Sequence, residues 1–386
     1  MPEQHRLWGA TAIAVIWANS PWSEAYEGLR DTVVGPASLH LDLTLAQWAT
    51  DGLLAVFFFV VGLELKRELV VGELSSVRQA LLPVAAALGG MIVPAVLALL
   101  VGGGAPGMEQ AWAIPVATDI AFVLGVLALA GSALPVTARV FLLGLAVADD
   151  LGAIAVIAFV FSSGLNLLAL GAALLGGCLY WWLQRRRVRA WWIYVPLGVA
   201  VWVAVHEAGI HATIAGVLLG LLTRVRPDED EQYAPAVRLE HRLQPFSAGF
   251  CVPVFALFAA GVPLGADALR EVFTTPVPLA VMTGLLVGKI VGILGFAWLT
   301  ISLTPASRPR GLSWRDMAAV SMLGGVGFTV SLLIAELSLS ELPEVLDSAK
   351  AAVLIASTTA ALIGAAMLLR RGRVRSALDD DGATPA

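Results

Sequence analysis

The chain has 386 residues, 58% of them hydrophobic and only 14% charged, with a mean hydropathy of +0.83; this excludes an ordinary soluble domain, in which about a quarter of residues are charged. The formal net charge of −5 is small and scattered over short loops, which argues against a nucleic-acid partner. Cys178 and Cys251 both lie in apolar runs, so no disulfide framework or thiolate metal centre is expected, and both read as packing residues.

Hydrophobic stretches of roughly 17 to 25 residues, enough to cross about 30 Å of hydrocarbon as helix, recur along nearly the whole chain. A β-barrel would instead give short alternating segments. In chain order the pattern predicts twelve spans near 8–21, 45–65, 79–101, 112–130, 138–161, 166–183, 190–206, 210–223, 246–262, 277–301, 314–335 and 348–369. The first reads as an uncleaved span, because no small-x-small cleavage site precedes the acidic stretch from Glu24 to Asp31. Next comes TVVGPASLHLDL (32–43), strand residues around a Gly-Pro turn, which predicts a β-hairpin. Span two ends in Glu64, Lys66, Arg67 and Glu68, charges placed to snorkel at the membrane surface.

Span four carries Pro115 ahead of Thr118 and Asp119, and span five carries the pair Asp149 and Asp150. The longest hydrophilic stretch, 223–244, is too short for a separate domain, so residues 1–386 read as a single transmembrane unit. Glu240 and His241 open the approach to span nine. Lys289 lies in the middle of span ten, and Gly324, Gly325 and Gly327 interrupt span eleven. The tail 376–386, small and acidic, is expected to be disordered and cytoplasmic.

With loops alternating between two sides, twenty of the 24 Lys and Arg fall on one side, among them Arg6, Lys66, Arg67, Arg78, Arg185, Arg224, Arg308 and Arg371. The other side receives Arg30, Arg270 and Lys350, together with acidic residues such as Glu24, Asp267 and Glu336 that read as solvated surface. Basic loops stay cytoplasmic, so both termini are placed inside. Spans three to five (79–161) and ten to twelve (277–369) then form two triplets of opposite orientation. Each has a middle helix interrupted by Pro or Gly, the pattern of inverted repeats whose broken helices cross at a transported ion.

An ionisable group in mid-membrane costs roughly 2.5–3.5 kcal/mol on insertion scales, which makes it a functional candidate. Asp119, Asp149, Asp150 and Lys289 are such groups. Three acids against one base leave net negative charge, which attracts protons or a cation. Adjacent helix residues point about 100° apart, so Asp149 and Asp150 cannot both face one partner. One is expected to face the ion and the other Lys289. Carboxylates, the Thr118 hydroxyl and carbonyls freed at a broken helix are hard ligands suited to Na⁺ or Li⁺. Paired carboxylates raise each other's proton affinity, so proton and cation compete for the same oxygens.

The residues resemble the NhaA-type sodium/proton antiporters. The similarity runs through AVFFFVVGLELKREL (55–69), GGMIVPA (89–95), WAIPVATDIAFVLGVLAL (112–129), LAVADDLGAI (145–154), GIHATIAGVLLG (209–220), RLEH (238–241), LLVGKIVGI (285–293) and GGVGFTVS (324–331). It implies an all-α polytopic membrane protein of about twelve helices with two broken, crossing helices. It also implies electrogenic exchange of Na⁺ or Li⁺ for H⁺ in the bacterial inner membrane, with no cofactor. By the same resemblance Asp149 and Asp150 are the essential pair, Asp150, Thr118 and Asp119 support ion binding, and Lys289 pairs with Asp149. The Na⁺ ligands are then expected from Asp149, Asp150 and Thr118. Glu64, Arg67, Glu240, His241 and His211 fall where the family senses pH, although Gln244 stands where the archetype has a second His. The hairpin 32–43 falls where the family's homodimers join.

Two other readings fit less well. A zinc protease needs two His at i and i+4 on a helix, whereas His206 and His211 are five apart, about 140° round. An aspartyl protease using Asp119 and Asp149 leaves Lys289 unexplained. A sodium-coupled organic-anion symporter on a related fold would need a cationic pocket, for which Lys289 is the one mid-membrane candidate. A channel would be distinguished by flux uncoupled from protons.

Overall fold

Apolar runs in lipid must satisfy every backbone N–H and C=O internally, and this chain does so as helix. The structure, a computed structural model, describes all residues except 1, 38–40, 131–134, 163, 230 and 383–386; the side chains of 2–4, 73 and 375–382 also lie outside the description.

The order is α1 (Pro2–Ala18), α2 (Ser23–Arg30), β1 (Val33–Val34), β2 (Leu43–Thr44), α3 (Leu45–Val70), α4 (Val77–Gly102), α5 (Met108–Ala111), α6 (Ile120–Ala130), α7 (Val136–Val160) and α8 (Leu167–Arg185). It continues with α9 (Trp191–Glu207), α10 (Thr213–Leu222), α11 (Pro235–Ala259), α12 (Ala266–Thr274), α13 (Pro276–Leu303), α14 (Trp314–Leu323), α15 (Phe328–Ser338) and α16 (Pro343–Gly382). Every predicted span has a helical counterpart, with α5–α6 and α14–α15 each serving as one broken span. Among the described residues, eight helices are long and apolar enough to cross a membrane, and the α14–α15 pair, bent by 48°, makes a ninth when counted as one. The others are shorter. α1 and α9 have 17 residues each and α10 has 10, against about 20 for a full crossing. Residues 383–386 of the predicted tail lie outside the described residues, while the backbone of α16 is helical to Gly382.

The chain divides into two units, Met1–Ser75 with Ile154–Pro263 and Ser76–Ala153 with Leu264–Ala386. In the first, β1 and β2 pair antiparallel, Val33 opposite Thr44 and Val34 opposite Leu43. Residues 38–40 of the expected hairpin lie outside the described residues. Ala173, Tyr180, Val201, Val205, Ala215 and Leu219 form a core between α8, α9 and α10. The connection between α10 and α11 is tied down by charge: Arg224 meets Asp228 and Glu231 at 2.8 Å each, Arg187 meets Asp228 at 2.9 Å, and Arg238, already in α11, meets Glu231 at 3.0 Å. Burial opposes the charge on Glu231, but the Asp228 backbone N–H and the guanidinium of Arg224 outweigh it and hold this carboxyl below the usual range.

In the second unit α4 and α13 cross at their backbones. A methyl on Gly292 would lie 2.0 Å from the Gly89 carbonyl oxygen, and one on Gly89 would lie 2.2 Å from that of Gly292. Small residues permit such contact between membrane helices. Two residues read as outer surface are placed differently. Lys350 is fully buried and pairs with Glu336 of α15, because the helix of span twelve starts at Pro343, five residues before the apolar run, and carries Lys350 into the packed interior.

Candidate functional site

The site grows out of two interrupted helices in the second unit. Pro115 supports a 3₁₀ turn over Ile114–Val116, Ala117 is extended, and α6 begins only at Ile120. Its counterpart ends α14 at Leu323 and starts α15 at Phe328, leaving Gly324 to Gly327 between. The two breaks bond to each other: Asp119 N donates to Val326 O at 2.7 Å, the Thr118 hydroxyl donates to Gly324 O at 2.8 Å, and the Ser331 hydroxyl donates to Ile114 O at 2.7 Å. Gly325 is required sterically, since a Cβ there would fall 2.4 Å from Leu285 O.

Asp119 caps both half-helices. Its Oδ1 accepts from Phe122 N at 3.0 Å, in the first turn of α6. Its Oδ2 accepts from Thr329 N at 3.1 Å and from the Thr329 hydroxyl at 2.6 Å, in the first turn of α15. One carboxylate thus meets two helix N-termini, where backbone dipoles favour negative charge.

Lys289 enters from α13, directly after the wide π turn Gly284–Gly288. Its Nζ donates to Asp149 Oδ2 at 2.8 Å, to Thr118 Oγ1 at 2.9 Å and to Val116 O at 2.5 Å. An ammonium has three N–H donors, and these three acceptors use them all. Asp149 on α7 therefore faces Lys289. The next residue, Asp150, lies within the electrostatic reach of Lys289 and keeps the greatest exposure of the group, 8% against 0% for Lys289, 2% for Asp149 and 3% for Thr118 and Asp119. With its three carboxyls ionised and the lysine charged the site would carry two net negative charges, on hard oxygens beside the carbonyls of the broken helices, which is the donor set of a small monovalent cation.

The other predicted residues are in the first unit. Arg67 NH1 meets both carboxylate oxygens of Glu240 at 2.7 Å, and Glu64 shares the electrostatic surroundings of Glu240, Arg67 and Glu68. His241 does not join them; it is exposed, with Nδ1 2.9 Å from Val237 O. His211 lies beside Asp51, Nδ1 to Oδ1 at 3.6 Å, with His206 on the same carboxylate at 4.0 Å. Sequence reading missed the buried polar groups that complete the broken helices, Thr329, Ser331 and Ser357. Their signal was weak, because hydroxyl residues are ordinary in membrane helices. No group of three or more His, Cys, Asp or Glu able to hold a metal ion occurs among the described residues.

A family model described as Na+/H+ antiporter 1 matches residues 5–368. The chain is 63% identical over 367 residues to Na(+)/H(+) antiporter NhaA 1 of Saccharopolyspora erythraea, covering 95% of this chain and 89% of that one. It is 61% identical over 373 residues to Na(+)/H(+) antiporter NhaA of Nocardia farcinica, covering 96% and 89%. To Na(+)/H(+) antiporter NhaA 2 of Rhodococcus jostii it is 58% identical over 374 residues, covering 96% and 91%. With the match spanning nearly its whole length, this multi-pass membrane protein belongs to the Na+/H+ antiporter 1 family.

Proposed function

We propose that this chain is a secondary transporter that exchanges Na⁺ or Li⁺ for protons across the bacterial inner membrane, with both termini cytoplasmic. The observation that carries the reading is the buried group of three carboxylates and one ammonium at two helix breaks, supported by relatives whose names state Na(+)/H(+) antiport. Na⁺ is taken by Asp150, Thr118 and Asp149, with Asp119 completing the field. Protons occupy the same carboxylates when the ion is absent, so the two cargoes exclude each other. When the ion draws Asp149 away, the ammonium of Lys289 loses its main counter-charge in a buried site and releases its proton. More than one proton then moves per ion, and the cycle is electrogenic.

Residues 79–161 and 277–369 act as inverted repeats whose broken helices, at Pro115 and at Gly324, Gly325 and Gly327, carry the site between two accessible states. Glu64, Arg67, Glu240, His241 and His211 adjust activity to pH. The segment 32–43 joins two copies in a homodimer, and the cycle needs no cofactor. An organic-anion symporter is disfavoured because the three donors of Lys289 are already used.

The test is proton movement in everted membrane vesicles after a pulse of Na⁺, Li⁺ or K⁺. Na⁺ and Li⁺ should release protons from the acidified lumen. Absence of release with all three cations would falsify the proposal.

A further inference from the structure

The N-terminus of α15 receives no side-chain cap from its own N-cap residue, Gly327, so its first N–H groups need acceptors from elsewhere. Asp119 supplies one, at Thr329 N. The other comes from α16, where Ser357 Oγ accepts from Phe328 N at 3.1 Å. Ser357 is 1% exposed. The same helix holds the far end of α15, where Lys350 pairs with Glu336. As the numbers rise along α15 from Phe328 to Glu336, their partners fall along α16 from Ser357 to Lys350, so the helices run antiparallel and are joined at both ends.

The two caps on α15 differ in kind. Asp119 is a carboxyl, and both bonds it makes to Thr329 use an oxygen that a cation would also attract. Ser357 is neutral, and its hydroxyl draws a cation less strongly than a carboxylate does. A helix start that loses a capping acceptor is destabilised, and a shift of its first turn would carry Thr329, the partner of Asp119, away from the ion. We propose that Ser357 is a positioning residue for the cation site, holding the start of α15 in place while Asp119 trades its bonds to Thr329 for the arriving ion. This rests on the exchange reading above, in which Asp119 serves the ion.

The test compares the parent, Ser357→Ala and Ser357→Thr in proteoliposomes, with proton efflux followed against Na⁺ concentration. Ser357→Ala should raise the half-saturating Na⁺ concentration roughly three- to tenfold, the effect of losing one buried hydrogen bond, at a maximal rate near the parent's. Ser357→Thr, which keeps the hydroxyl, should restore the parent value. The pair Lys350→Met with Glu336→Gln should lower the melting temperature without moving half-saturation, separating a looser α15–α16 contact from loss of the cap. If Ser357→Ala does not accumulate, Ser357→Cys, similar in volume but a weaker acceptor, should show a smaller shift in the same direction. Parent-like half-saturation in Ser357→Ala, or an equal shift in the Thr variant, overturns the inference alone. A parent that moves no protons in response to Na⁺ overturns the proposed function and this inference with it.

Discussion

Lys289 brings three N–H donors into a dry interior and meets three acceptors, from Asp149, Thr118 and Val116. Leaving Asp149 buried without this partner would cost about 3–5 kcal/mol, which ties the stability of the second unit to the same pair proposed to serve transport. Asp150 faces differently. As the most exposed carboxylate of the group, it is the one proposed to meet an arriving ion, and Asp150→Asn removes its charge at almost constant volume. Isothermal titration should detect no Na⁺ binding to Asp150→Asn while its melting temperature stays near the parent's. Binding within a few-fold of the parent would move the ion elsewhere. Asp119, Asp149, Asp150 and Lys289 were legible in the sequence because an ionisable residue stands out inside an apolar run. Lys350 and Glu336 were not, because they sit at span ends, where a surface reading is as natural, and their pairing exists only once α15 and α16 pack. The neighbourhood of Asp51, His206 and His211 was hidden likewise, since Asp51 lies 155 and 160 residues before its partners.

At the level of elements, Pro115 and the three glycines marked where the helices break because they occur at corresponding positions of the two triplets; either residue type alone is no signal, since Pro83 and Pro94 lie inside the continuous helix α4. What the breaks do with their freed backbone groups was not legible, since a bond such as Asp119 N to Val326 O leaves no trace in side-chain identity. The α4–α13 crossing was equally silent, as glycines are frequent in membrane helices. Its physical consequence is sharp: Gly292→Ala places a methyl against the Gly89 carbonyl, and the overpacking should cost about 1–3 kcal/mol, read as a lowered melting temperature in detergent. An unchanged melting temperature would mean that the helices separate freely. In the connection between α10 and α11 the guanidinium groups make Glu231 a stabilising charge. Its carboxyl has a lower pKa folded than unfolded, so its contribution is complete above the ordinary glutamate value and disappears as pH falls through the lowered one. Melting curves taken across acid pH should show the parent losing stability faster than Glu231→Gln, and parallel curves would remove the loop's charge lattice from the account.

For the whole molecule, hydropathy predicted the twelve helical segments well and their ends poorly. α3 runs to Val70 and α16 begins at Pro343, beyond the apolar runs near 45–65 and 348–369, because helices continue through interfacial charges that a hydropathy window excludes. With Lys350 buried, the predicted outer loops hold Arg30 and Arg270 as their basic residues, which sharpens the charge asymmetry behind the proposed orientation. A phosphatase reporter that works only in the periplasm, fused after Arg375, should therefore be inactive, and activity would reverse the repeat argument too. The central claim is that one buried site couples Na⁺ to protons. Its most direct test is radioactive Na⁺ uptake by the purified chain in proteoliposomes, with the pH gradient and the membrane potential imposed independently. Uptake should be driven by an acidic interior, accelerate when the interior is made positive because more protons leave than ions enter, and vanish in Asp149→Asn and Asp150→Asn. Uptake of equal rate with and without the pH gradient would contradict the account.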